Sequence, residues 1–156
     1  MKSPERVLAI DPGREKCGIA VVDRNHGVLR QAIVRAMELN VAVENWIREH
    51  GCSLIVIGNK TASKQALESL ATLLAESKNA TIVKVEEHKS TEQARLRYWR
   101  ANPPHGWRRL IPLGLLIPPC AIDDFAAIIL AERYFAQSVK NCEIFFEIKQ
   151  ELKNLR

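Results

Sequence analysis

"VLAIDPGREKCGIAVVD", residues 7–23, decides the fold of this chain. It reads as a strand, a tight turn and a second strand, with Asp11 closing the first run. Aspartate forms strands poorly, and Pro12-Gly13 is turn chemistry. Two readings of Asp11 stay open at this level. It can simply start the turn by bonding the backbone ahead of it, or it can project a carboxylate from the end of a rigid strand.

Working outward, three strands come first: Arg6–Asp11, Cys17–Asp23 and Val28–Arg35. "DRNHG" (residues 23–27) supplies Asp, Asn and Gly where a hairpin turn needs them. A helix is predicted over Glu38–His50, because Leu39, Val43, Trp46 and Ile47 share one face, and Gly51 stops it. "SLIVIG" (53–58) is a short buried strand. A second helix with Leu67, Leu70, Ala71 and Leu74 on one side follows, and then a fifth strand, "ATIVKVE" (80–86). A basic helix over Ser90–Ala101, a Pro-rich loop from Asn102 to Pro119 and the apolar helix "IDDFAAIILAERYFAQ" (122–137) complete the main body. The tail "CEIFFEIKQELKNLR" (142–156) carries Phe145, Ile148, Leu152 and Leu155 in helical register. The predicted architecture is α/β, a five-stranded mixed sheet in the order β-β-β-α-β-α-β-α with helices on both faces and an extra C-terminal helix. The first strand should lie centrally between the second and the fourth. Residues 1–138 form the expected domain and 139–156 an amphipathic extension.

The chain has 156 residues, 47% of them apolar, enough for one domain with its own core. Cys17, Cys52, Cys120 and Cys142 are widely spaced without CxxC pairs, which argues against zinc and for reduced thiols. The N-terminus does not read as a signal peptide, and "LIPLGLLIPP" is too short and proline-broken to span a membrane, so a cytoplasmic location without membrane contact is expected. The net charge of +5 favours a polyanionic partner. Residues 92–109 concentrate Arg95, Arg97, Arg100, Arg108 and Arg109 among Tyr98, Trp99, His105 and Trp107. Arginine forks bind phosphates, and flat rings stack on unpaired bases. The competing reading is a solvated helix face with two tryptophans in the core.

In the predicted sheet the first, fourth and fifth strands are parallel, so Asp11 and Glu86-Glu87 end at one edge, where open α/β sheets bind ligands. Asp123-Asp124 open the apolar helix and are a third source of carboxylates, although a helix N-terminus also favours acids as caps. Clustered carboxylates need cations between them, and oxygen donors suit magnesium or manganese. Such ions can activate water for phosphodiester cleavage.

Four motifs together, "AIDPGREKCGIAVVD", "IVIGN", "VEEHKSTEQA" and "IDDFAAIILAERY", resemble the RuvC/YqgF branch of the RNase H-like superfamily, in the same order along the chain. The resemblance implies Asp11, Glu87 and Asp123 as catalytic metal ligands for Mg2+ or Mn2+. Asp123 matches because it stands three residues before Ala126-Ala127, and Asp124 beside it is a further candidate ligand. Arg14, Lys16, Lys60, Arg95, Arg97, Arg100, Arg108 and Arg109 are the candidate nucleic-acid contacts. This chain reads Glu86-Glu87-His88 where YqgF proteins have Asp-Glu-Arg, and Asn59-Lys60 where they have an apolar-proline pair. The implied activity is a metal-dependent nuclease on structured nucleic acid. RNA is favoured over DNA, as in pre-16S rRNA end processing. Cleavage of Holliday junctions and a catalytically silent binding module are the alternatives. An actin-type ATPase needs two such halves, and the length allows one. A monomer with the tail folded back is favoured, with a homodimer through that helix as the alternative.

Overall fold

The computed structural model describes residues 5–59, 80–86 and 88–138, with positions 64, 66, 68–70 and 72 of the stretch between. Strands β1 (Arg6–Asp11), β2 (Lys16–Asp23) and β3 (Gly27–Arg35) form an antiparallel meander. Helix α1 (Leu39–His50), β4 (Leu54–Gly58), β5 (Thr81–Val85), α2 (Ser90–Ala101) and α3 (Asp123–Ser138) follow. The sheet order is β3-β2-β1-β4-β5, with β4 parallel to both β1 and β5. Central placement of the first strand is therefore as the sequence predicts, and the strand ends agree within a residue.

The period-two alternation of β1 assigns its residues to two cores. Val7 and Ala9 pack with Ala20, Val22, Val56, Val83 and Val85 under Ala127, Ile128, Leu130 and Ala131 of α3. Leu8 and Ile10 pack on the other face with Ile19, Ile55, Ile57, and Leu39, Val43 and Trp46 of α1. Helices therefore cover both faces. Gly51 caps α1 at φ 63°, where a side chain would be strained. A short 3-10 turn at Ala36–Glu38 precedes α1, so the helix starts one residue later than the apolar stripe suggests. In the predicted second helix, the described positions are helical and Leu70 is fully buried. Leu67, Ala71 and Leu74 lie outside the described residues, as do Lys60, Glu87 and the whole 139–156 tail.

Two local features depart from the sequence reading. The Asn102–Pro119 segment is not one open loop, since it contains 3-10 turns at Gly106–Leu110 and Leu113–Leu115. Trp99 pins it by donating its indole N–H to the Leu116 carbonyl at 3.0 Å. The second is Asp23, which reads in the sequence only as a hairpin residue. It is buried and accepts from the Asn25 and His26 amides at 2.9 and 3.1 Å and from Arg6 Nη2 at 3.1 Å. Arg6 in turn donates to the His50 carbonyl, which ties the first strand to the end of α1.

The Asn25 amide first, then the His26 side chain, hold the Asp23 carboxyl well below its ordinary value of 3.8. A carboxylate with a depressed folded-state pKa stabilises the fold above its unfolded pKa, and that stability is lost as the pH falls below it. Asp23→Asn should therefore lower the melting temperature at neutral pH. Thermal melts at descending pH should show the gap to the parent protein closing below about pH 3.8. A gap that stays constant into strong acid would contradict the role given to this carboxylate.

Candidate metal and nucleic-acid site

β1 and β2 pair so that Asp11 stands opposite Gly18, and residues opposed in this way project to the same face. That is the face of Val7 and Ala9, on which α3 lies. On the other side β1 pairs Ile10 with Ile57 of β4, which makes Gly58 the next residue along beside Asp11. The buried Asp11 carboxylate therefore leaves the sheet with a glycine on each neighbouring strand.

Helix α3 begins over the same spot. A Cβ built on Gly18 would lie 1.9 Å from the Asp123 carbonyl oxygen and 2.5 Å from the Asp124 amide nitrogen. Only a residue without a side chain lets the helix start this close to β2. Asp11 and Asp123 are thus both neighbours of Gly18, at one end of the central strand. Cys17 senses both. Burial first pushes its thiol pKa up, and the negative charges of Asp11 and Asp123 push it further.

The two adjacent aspartates of α3 differ. Asp124 accepts from Gln31 Nε2 at 2.8 Å with Oδ2 and from the Phe125 amide at 2.9 Å with Oδ1. It is a clamp between α3 and β3. Among the described residues, none donates to the Asp123 carboxylate, which leaves it as the acid of the pair available to a ligand.

On the third side, Val83 and Val85 of β5 belong to the α3 core. Beyond them the chain turns through Lys89 at φ 57°, a left-handed conformation uncommon outside glycine. Arg133 of α3 donates to the Glu86 carbonyl at 2.6 Å, to the His88 carbonyl and to Gln93 Oε1 at 2.8 Å. It fastens the backbone on both sides of position 87 to α3. Glu87 itself lies outside the described residues. Among those described, no three His, Cys, Asp or Glu side chains form a metal-holding group. Two carboxylates carried to one strand end still suit a hard cation by their donor chemistry, because magnesium is commonly held by one or two carboxylates and keeps several waters.

The basic residues do not form the single patch that residues 92–109 suggest. Arg14 on the turn after Asp11 and Lys16 at the start of β2 are exposed, and Arg35, exposed and paired with Lys16, adds to them. Arg97 is engaged by Glu132 of α3. Arg95 is half-buried, and Trp99 is in the core. Arg100, Arg108, Arg109 and Trp107 are exposed. Gly13 is needed by the turn itself, since a Cβ there would meet the Lys16 carbonyl oxygen at 2.1 Å. Gln31 and Arg133 carry no sequence signal, because their partners lie 93 and 40–47 residues away.

A mixed five-stranded sheet with a central first strand, helices on both faces and carboxylates at the strand end defines an RNase H-like fold. The chain belongs to the family described as Tex protein YqgF-like domain, whose sequence profile matches residues 5–91. Solved structures show the same fold. T. thermophilus RuvC in complex with Holliday junction substrate superposes with a TM-score of 0.60 at 14% identity, covering 87% of this chain and 96% of that one. Fowlpox virus resolvase, in complex with substrate Holliday junction DNA, gives 0.58 at 10% identity over 86% and 99% of the two chains. No curated protein sequence matches.

Gly18→Ala should cost about 1–3 kcal/mol, the usual penalty for overpacking a close contact. It should also displace the start of α3 from β2. Urea unfolding checks the first, and loss of Cys17 protection from thiol reagents checks the second. A variant as stable and as protected as the parent would show that the helix start does not depend on this approach.

Proposed function

We propose that the protein is a divalent-metal-dependent nuclease that hydrolyses phosphodiester bonds in structured nucleic acid. One observation carries the reading: Asp11 ends the central strand opposite Gly18, and the α3 start at Asp123 rests on that same glycine. The family and the fold shared with two junction-bound resolvases support it. Asp11 and Asp123 would hold the cation, with Glu87 completing the set. A bound cation would lower the pKa of a water and offset charge on the leaving oxygen. Asp11 offers its carboxylate from a buried strand and therefore loses little entropy on binding. Gln31 holds Asp124, and through it the first turn of α3, so that Asp123 keeps its direction. Arg14, Lys16 and Arg35 border this end of the sheet and would draw the substrate's phosphates to it.

The motif resemblance favours RNA, with trimming of precursor rRNA ends as the specific activity. The shared fold with RuvC and the poxvirus resolvase favours a second reading, cleavage of branched DNA. Labelled precursor rRNA, single strands, duplexes and four-way junctions, each with Mg2+ or Mn2+, separate the two. Cleavage of none of them under either ion would overturn the nuclease.

Asp11→Asn and Asp123→Asn should each reduce cleavage by more than about 100-fold, a loss that even outer-shell partners of metal sites can produce. The melting temperature of Asp11→Asn should be unchanged or raised, since neutralising one of two neighbouring carboxylates relieves their repulsion. Asp124→Asn should retain far more activity than Asp123→Asn. Equal losses at 123 and 124 would contradict the division of labour between them.

A further inference from the structure

Between Glu92 and Asp123 the chain has five arginines and no acidic residue. The family match ends at residue 91, so this segment lies beyond it. The structure folds it into a cleft of about 620 Å³ lined by Tyr98, Asn102, Pro104, His105, Trp107 and Arg108, with Pro119 on its wall. That volume is in the range of small-ligand pockets.

The cleft is held open by the fold. Trp99 is buried beneath it and bonds the Leu116 carbonyl, and Tyr98 packs edge-on against both Trp99 and Phe125 of α3. Trp107 is 71% exposed, whereas Trp46 and Trp99 are each 5% exposed. A large, flat, apolar ring left in water beside a preformed cleft needs a reason. Arg108 lines the same cleft, and among the described residues neither it nor Arg109 has a carboxylate partner. Pro119 is four residues from Asp123, so the cleft wall lies within about 14 Å of that residue along the chain. Stacked nucleotides repeat every ~3.4 Å along one strand, so this distance spans about four of them.

We propose that this cleft receives an unpaired nucleobase of the substrate, stacked on the Trp107 indole, with Arg108 at the adjoining phosphate. The inference rests on the nucleic-acid reading above and adds to it that the substrate carries at least one unpaired nucleotide near the cut. Indole and proline faces accept any base, and arginine supplies the phosphate contact without sequence preference. His105 and Asn102 bring hydrogen-bonding groups to the base edge. Leu110, Leu115 and Ile117 are also exposed, but none of them lines the cleft.

The test uses the full chain with Asp11→Asn, which should bind without cutting. An oligothymidine strand should quench the fluorescence of the exposed Trp107, and a blunt duplex of equal length should quench it much less. Trp107→Ala should weaken oligothymidine binding by at least about 5-fold, the lower end of one base–aromatic stack. Duplex binding should stay within about 2-fold, and Trp107→Phe, which keeps a flat ring, should restore most of the loss. Equal weakening for strand and duplex would overturn the proposal, and so would an oligothymidine affinity indifferent to Trp107. Trp107-dependent binding to phosphatidylglycerol vesicles without quenching by the oligonucleotide would overturn it in favour of a lipid surface. The cleavage assays with Asp123→Asn are independent of these titrations. Persistent cleavage there would remove Asp123 from the metal set, and no cleavage by the parent protein would remove the nuclease assignment, each leaving the base-binding cleft in place.

Discussion

The structure depends on a contact that allows no side chain: the backbone of Asp123 and Asp124 resting on Gly18. Any Cβ at Gly18 would push the start of α3 off β2, and with it the helix packed over the centre of that face. The approach continues along the helix, where Ala9 and Ala20 of the sheet meet Ala127 and Ala131. Small residues on both partners let backbones come near, and the same closeness delivers Asp123 to Asp11. Packing and chemistry share one cause here. The sheet fixes one carboxylate, the helix fixes the other, and a glycine sets the distance between them.

Two further ties hold this arrangement from the sides. Gln31 anchors the first turn of α3 to β3 through Asp124. Arg133, further along α3, anchors the β5–α2 junction. Neither tie buries much apolar surface, so neither drives folding by itself. Both join the ends of elements whose bodies the two cores have already placed, and they convert a packed sheet into a site with defined edges. Carboxylates gathered this way carry a cost in repulsion that a cation would offset.

Much of the fold was legible because the relevant signals are local. Continuous apolar runs at residues 7–10 and 54–57, turn residues at 12–13 and 23–27, and Gly51 after an apolar stripe each report on a few neighbouring positions. The pairing of β1 with β4 followed from connection lengths. Asp123 and Asp124 could be told apart only by their spacing from Ala126-Ala127, and the structure adds the physical difference, that Asp124 is already bonded on both oxygens. What stayed hidden was long-range. Nothing local to Gly18 announces that a helix over a hundred residues later lands on it. Asp23 reads as a turn residue until Arg6 and His26 close around it. The arginine- and tryptophan-rich stretch reads as one surface, yet Glu132 takes Arg97 and the core takes Trp99. Composition shows what a segment contains, whereas helix phase and partners decide which of it meets solvent.

The central claim is that Asp11 and Asp123 serve one cation rather than two separate structural roles. Calorimetric titration of Mn2+ into the parent protein, Asp11→Asn, Asp123→Asn and the double variant tests it most directly. Shared ligation predicts that each single substitution removes most of the binding and that the double variant loses little more, the non-additivity expected of groups acting as a unit. Binding unchanged in either single variant, or losses that simply add, would contradict the account.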